Sequence, residues 1–421
     1  MPLDYPIAVR ELANGLRVVV SSDRSVPTVS VNLWVGVGSR HEEPGHTGFA
    51  HLFEHLMFQG SRNVAEGEHF ATLLAQGARL NATTWFDRTN YFETVPTGAY
   101  ELALWLEADR HGGLLDAVTQ ECLDNQRDVV KEEKRQRYDN RPYGNALVDI
   151  YAAVFPDGHP YQHPTIGSMA DLDAASLQDV HDFFRAHYAP NNTVLTLVGD
   201  LSEEDGFAAA DRYFGALEPV DLADRPVPAL GPLQAPVRLE RVEDVPEDRL
   251  YVAFRLPAAD DPDFLAAELA FDVLAGGATS RLYRRLVRGS QQATHVGRSV
   301  MGLAAGVSLG YFLFDAADGV SVAALEEALV AELTGLAARP PTGVEMEVVL
   351  ADTERWWLQS LAAQDERADL LSHYTLLYDD PEFINTYLDR VAQVTSADIA
   401  RVARRWLHPD SRAVVTYEVK P

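Results

Sequence analysis

Cysteine occurs once in the 421 residues, at Cys122, which excludes an internal disulfide and suits a reducing compartment. Lysine is confined to Lys131, Lys134 and Lys420, so nearly all of the 35 basic residues are arginine. Against them stand 63 acidic residues and a net charge of -28. That balance repels a nucleic-acid backbone and argues against nucleic acid as a partner. No stretch approaches the ~18 consecutive apolar residues of a membrane span. The opening MPLDYPIAVRELANG has neither the layout of a secretory signal nor the Arg-rich, acid-poor pattern of a transit peptide. Cytoplasm is the expected compartment, and the Ala-, Asp- and Arg-rich composition suggests a high-GC bacterial source. The GGATS turn before Arg281 lacks the Lys-Ser/Thr ending of a phosphate loop, so no nucleotide site is implied.

What is present is enough chain for more than one core and an internal echo. Residues 176–199, SLQDVHDFFRAHYAPNNTVLTLVG, match the C-terminal TSADIARVARRWLHPDSRAVVTYEVKP once Pro190 is set against Pro409. Asp179 then meets Asp398, Val180 meets Ile399, and Val194–Leu197 meets Ala413–Thr416. Each piece reads as a capped amphipathic helix, a proline turn and an apolar strand. The Pro-rich, aperiodic stretch 218–236 reads as a linker. The expected organisation is an N-terminal domain over 1–217, a linker over 218–236 and a homologous C-terminal domain over 237–421. Strand-like runs such as RVVVSS, TVSVNLWVGVGS, TNYFETV and TVLTLVG are interleaved with helical stretches near 46–59, 65–76, 98–111, 118–138, 143–154 and 176–187. Asn14-Gly15 signals a hairpin. The expected class is α+β, with helices packed on mostly antiparallel sheets.

The stretch HLFEH at 51–55 puts two histidines and a glutamate into an apolar run, where an uncompensated carboxylate is costly. At ~100° per residue, His51 and His55 lie about 40° apart and Glu54 about 60° to the other side of His51. Imidazoles at i and i+4 can share a zinc ion, and Glu54 is then placed as a general base toward the attacking water. The bare pentapeptide also fits a helix with two satisfied core histidines. A third ligand is sought on the 118–138 helix, whose apolar side is expected around Cys122, Leu123, Val129 and Val130. Glu133 falls on that side, and Glu132, turned about 100° away, faces solvent.

H-x-x-E-H followed roughly 75 residues later by R-x-V-V-x-E-E resembles the inverted-motif zinc peptidases. Specifically it resembles the pitrilysin/insulinase family, in the short-subunit branch with the mitochondrial processing peptidase and its bacterial relatives. The likeness runs through GHTGFAHLFEHLMFQGSRN, RLNATTWFDRTNYFETVP, QRDVVKEEKR, HPYQHPTIGSMADL and GGATSRLYRRLVR. It implies two duplicated α/β sandwich domains and one Zn²⁺ per chain held by His51, His55 and Glu133, with Glu54 activating the water. It also implies that Asn81 and Ala82 lie on a strand edge that pairs with substrate backbone. Two positions depart from the family pattern. Gln126 stands where a glutamate is usual, on the same helix face as Glu133, as a support for that ligand. In the second half, Arg288 is in place as a substrate-gripping residue, but His295 stands where a tyrosine is usual. The 263–275 helix has no H-x-x-E-H, so the second domain is expected to bind substrate without doing chemistry. The implied activity is a zinc endopeptidase acting on peptides or unfolded polypeptide inside a dimeric chamber, as a homodimer or as a heterodimer with a homologous subunit. The rival is a subunit inactive alone, or one that holds substrate or scaffolds a heterodimer; such relatives typically have a broken zinc motif. The remaining histidines read as ordinary surface or core residues.

Overall fold

A computed structural model describes residues 3–223 and 225–421. The chain packs as two units. The first comprises Met1–Lys134, Thr165–Arg225 and Trp357–Tyr387; the second comprises Arg135–Pro164, Pro226–Trp356 and Leu388–Pro421. The crossing at Arg225/Pro226 lies within the Pro-rich 218–236 stretch. The units are not a simple cut of the chain there: residues 357–387 join the first and residues 135–164 the second.

The first unit is built on strands β1 (Ala8–Glu11), β2 (Arg17–Ser22), β3 (Thr28–Val35), β4 (Arg79–Thr84), β5 (Thr89–Pro96) and β6 (Thr193–Gly199). They form one sheet in the order β1-β2-β6-β3-β5-β4, with β2 and β6 parallel and every other pair antiparallel. The Asn14-Gly15 hairpin joins β1 to β2, with Gly15 at φ +82°, a conformation glycine adopts without cost. Alternation along β3 sorts the two faces. Val29, Val31 and Leu33 enter a core with Ala103, Leu104 and Phe207 from the Tyr100–Gly113 and Glu203–Phe214 helices. Ser30, Asn32 and Trp34 face the other way. Asn32 and Trp34 donate to Asp369 on the Gln364–Tyr378 helix, at 3.2 and 3.0 Å.

The second unit repeats the plan without the first strand. Its strands are β7 (Val237–Glu243), β8 (Arg249–Leu256), β9 (Ala293–Met301), β10 (Ser308–Ala316) and β11 (Ala413–Val419). Their order is β7-β11-β8-β10-β9, with β7 and β11 parallel. Strand for strand, this is β2-β6-β3-β5-β4 again. The sequence echo has a structural cause. Ser176 and Thr395 cap the Leu177–His187 and Ser396–Trp406 helices, each in a reciprocal box with Asp179 or Asp398. Each helix leads through a proline-initiated turn into an interior strand, β6 or β11. The α+β architecture with a duplicated sheet is as the sequence implies.

Candidate metal centre and its base

The histidine helix, Phe49–Leu56, starts at Gly48 with φ +92°. Glu42 accepts from the Gly48 and Ala50 amides at 2.8 and 2.7 Å, satisfying N–H groups that a helix start leaves open. Asp171 holds the preceding residue through the Thr47 amide at 3.0 Å and the Thr47 hydroxyl at 2.5 Å. The apolar side of the helix is buried: Phe53 packs among Phe183, Phe184 and Tyr188, at ring distances of 5.2, 6.0 and 4.9 Å. That leaves His51, Glu54 and His55 on the partly exposed side.

The glutamate helix, Gln120–Lys134, packs against it. Its buried side is Leu123, Gln126 and Val130, a spacing of three and four that carries on to Glu133 one turn later. Val129, expected inside, is 42% exposed, because it lies about 100° from Val130 on a helix with only one packed face. Of the two valines, only Val130 shares the inward side with Glu133, and Glu132 is exposed as expected. Lys131 reaches Asp173 at 2.6 Å and Arg127 donates to the Ala175 carbonyl at 2.6 Å, fastening the outer side of this helix.

The three expected ligands come together. Glu133 Oε2 lies 3.7 Å from His51 Nε2 and 3.4 Å from His55 Nε2. One donor atom from each residue falls within 4.8 Å of the others. Two imidazoles and a carboxylate are a donor set that zinc accepts, and three protein ligands leave a coordination position for water. The side chains are 13%, 22% and 16% exposed, so solvent or substrate can reach that position. Glu54 stands beside the cluster and accepts from the Thr84 hydroxyl at 2.6 Å. Burial raises its carboxyl, and the Thr84 bond opposes that rise.

The other expected site residues are spread over both units. Asn81 and Ala82 lie on β4, an outer strand of the first sheet, with Asn81 exposed and Ala82 buried. Gln126 is buried two turns before Glu133. In the second unit, Arg288 is exposed on the π-helical turn Tyr283–Gly289 and His295 is exposed on the outer strand β9. Thr84 was not among the expected site residues.

With this geometry in view, comparison with known proteins is direct. Residues 17–166 match the family model for insulinase (peptidase family M16), and residues 174–351 match that for the peptidase M16 inactive domain. The chain belongs to the insulinase, or M16, peptidase family. The zinc protease PqqE of Helicobacter pylori is 28% identical over 399 residues, covering 94% of this chain and 89% of the relative. An uncharacterized zinc protease of Mycobacterium tuberculosis is 28% identical over 409 residues, 94% of this chain and 90% of the relative. The crystal structure of a protease from Helicobacter pylori has a TM-score of 0.91 at 26% identity, covering 99% of this chain and 100% of that one. A peptidase M16 inactive domain from Pseudomonas fluorescens, at 18% identity and a TM-score of 0.87 over 99% and 98% of the two chains, shares the fold. Among the described residues, no helix is long and apolar enough to cross a membrane.

Proposed function

We propose that this chain is a zinc-dependent endopeptidase in which His51, His55 and Glu133 hold one Zn²⁺ and Glu54 is the general base. The observation that carries the reading is the convergence of those three donors within 4.8 Å, with the Glu54 carboxylate alongside. Zinc bound there would polarise the scissile carbonyl and acidify a water molecule. Glu54 takes the proton from the attacking water and returns it to the leaving amine. The outer edge of β4 around Asn81 and Ala82 would bind substrate as an added strand, which selects extended or unfolded segments. Arg288 and His295, on the second unit's outer edge, would bind peptide, and Gln126 would support Glu133. We assign the chemistry to the first unit, since it holds His51, Glu54, His55 and Glu133, while the family model for an inactive domain falls on 174–351, most of it in the second unit. The same match favours, as a second reading, a chain that needs a homologous partner to complete its substrate site. Assembly as a homodimer or heterodimer, and a cytoplasmic location resting on the single cysteine, belong to the same proposal.

The test is cleavage of a mixed peptide library by the purified chain and by Glu54→Gln, with zinc assayed in both. Loss of about 10²–10⁴-fold in rate with zinc retained supports Glu54 as the base. Wild type that holds zinc and cleaves nothing points to the missing partner, and a chain that binds no zinc sinks the reading.

A further inference from the structure

We infer that Thr84 is a positioning residue for Glu54, held in place through strand β4 by Arg88. The inference rests on the peptidase reading, since it concerns the base of that reaction. Glu54 lies on the partly exposed side of its helix, and a base is useful only in the rotamer that faces the water. The Thr84 hydroxyl, 2.6 Å from Glu54 Oε2, selects one rotamer.

That bond is only as well placed as Thr84, the last residue of an outer strand, where backbone ordinarily frays. Here the strand end is tied down on several sides. The loop 85–88 closes with the Trp85 amide donating to the Arg88 carbonyl at 2.9 Å. Arg88 turns back and donates to the Thr83 carbonyl at 2.9 Å and to the Thr83 hydroxyl at 2.5 Å. Its guanidinium lies 4.8 Å from the centre of the Trp34 ring, a cation–π contact. Asp369 in turn accepts from Trp34 at 3.0 Å and from Asn90 at 3.1 Å. The opposite side of the loop meets β3's continuation. Ser39 and Arg40 amides donate to the Trp85 and Phe86 carbonyls at 3.1 and 3.0 Å. A Cβ on Gly38 would fall 2.2 Å from the Trp85 carbonyl oxygen, so that approach requires glycine. Adjacent strand residues point to opposite faces. Thr83 is therefore clamped on the Asp369 side of the sheet while Thr84 faces the histidine helix, and the clamp fixes Thr84 without occupying the site.

The experiment compares wild type, Thr84→Val and Thr84→Ser on one peptide drawn from the library, with saturating zinc and zinc content measured in each. A hydrogen bond to a charged group sets the scale, so the valine variant should lose about 10–100-fold in kcat, with KM within a factor of about two and zinc retained. The serine variant should recover to within about threefold of wild type, since it keeps the hydroxyl. Arg88→Lys should fall between them, because an ammonium can donate to Thr83 but lacks the planar face that a guanidinium lays over Trp34. A valine variant equal to wild type, a change confined to KM, or a serine variant no better than valine would each overturn the inference. A second readout does not depend on turnover. Urea unfolding of the zinc-loaded chains in a cycle of Thr84→Val, Glu54→Ala and the double variant measures whether the two side chains act together. Should wild type hold zinc and cleave nothing, the peptidase reading fails for the isolated chain and the cycle judges the contact. Additive midpoint shifts overturn the inference; a double variant no less stable than Glu54→Ala supports it.

Discussion

His51, Glu54 and His55 point where they do because their helix starts where it does, and Gly48 decides that start. Its φ of +92° is in the left-handed region, and an added Cβ would fall 2.8 Å from the Ile166 carbonyl oxygen. Gly167, at φ +68°, comes closer still from the other side, its missing Cβ lying 2.4 Å from the Gly48 amide nitrogen. The glycines of GHTG and PTIGS are thus two halves of one backbone contact. Gly48→Ala should cost about 1–2 kcal/mol from the left-handed conformation alone, with the clash added. Urea unfolding should show the loss, and zinc titration should show weaker uptake because Glu42 no longer meets the first amides squarely. Unchanged unfolding and unchanged zinc affinity would mean that the helix start is set elsewhere. At this scale the candidate site was legible because helical spacing alone puts His51 and His55 on one face. Thr84 was hidden for the opposite reason. Nothing in RLNATT says which face of the strand meets a helix 30 residues earlier, and a threonine in a strand is ordinary.

Each sheet carries a helix whose place in the sequence gives no hint of its destination. Gln364–Tyr378 covers β3 and β6 of the first sheet, and Ala146–Val154 covers β7, β8 and β11 of the second. Both are fixed by an aspartate that accepts from donors on the sheet. Asp369 takes Asn32, Trp34 and Asn90. Asp149 takes Arg241 at 2.6 and 3.0 Å and the buried Tyr417 hydroxyl at 2.8 Å. An aspartate in a helix ordinarily marks the solvent side, so periodicity turns these helices the wrong way round. The repeat itself was readable, since Ser176/Asp179 and Thr395/Asp398 are local capping boxes whose partners lie three residues apart. Local chemistry shows in sequence; a polar contact across 268 residues, as between Asp149 and Tyr417, does not. Asp149→Ala should therefore cost about 1–3 kcal/mol by leaving the Tyr417 hydroxyl without an acceptor. Asp149→Asn, which keeps an acceptor, should cost less. Chemical denaturation of the three proteins checks this, and equal midpoints for Ala and wild type would show that water replaces the carboxylate.

A net charge of -28 governs how the whole molecule meets acid, and buried histidines oppose it. Lowering the pH from 7 protonates carboxylates and relieves mutual repulsion, which favours the compact state. His111 acts in the other direction. It is 3% exposed, and burial, with Arg110 beside it, pushes its pKa down to about 3. In the unfolded chain the same ring takes up its proton near 6.5. Between pH 6.5 and about 3 the unfolded state therefore binds more protons, and stability falls as the pH falls. His69 and His187, pushed by burial down to about 2 and about 4, add to the loss over the same range. Glu93 works against them: burial, then Glu107, raise its carboxyl well above the usual value. Its contribution is complete at low pH and is lost as the pH rises. Salt separates the long-range part from the buried part, because at 1 M the screening length shrinks to about 3 Å and buried groups feel it little. In 1 M NaCl, urea unfolding of wild type should weaken from pH 7 to pH 5. His111→Gln keeps a polar partner for the Thr193 hydroxyl, which lies 3.3 Å from His111 Nε2, and removes the titration. Its stability should fall less steeply, by up to one proton, or about 1.4 kcal/mol per pH unit. Identical slopes would show that the His111 imidazole carries its charge in the folded protein, and the burial argument for the other two histidines would fall with it.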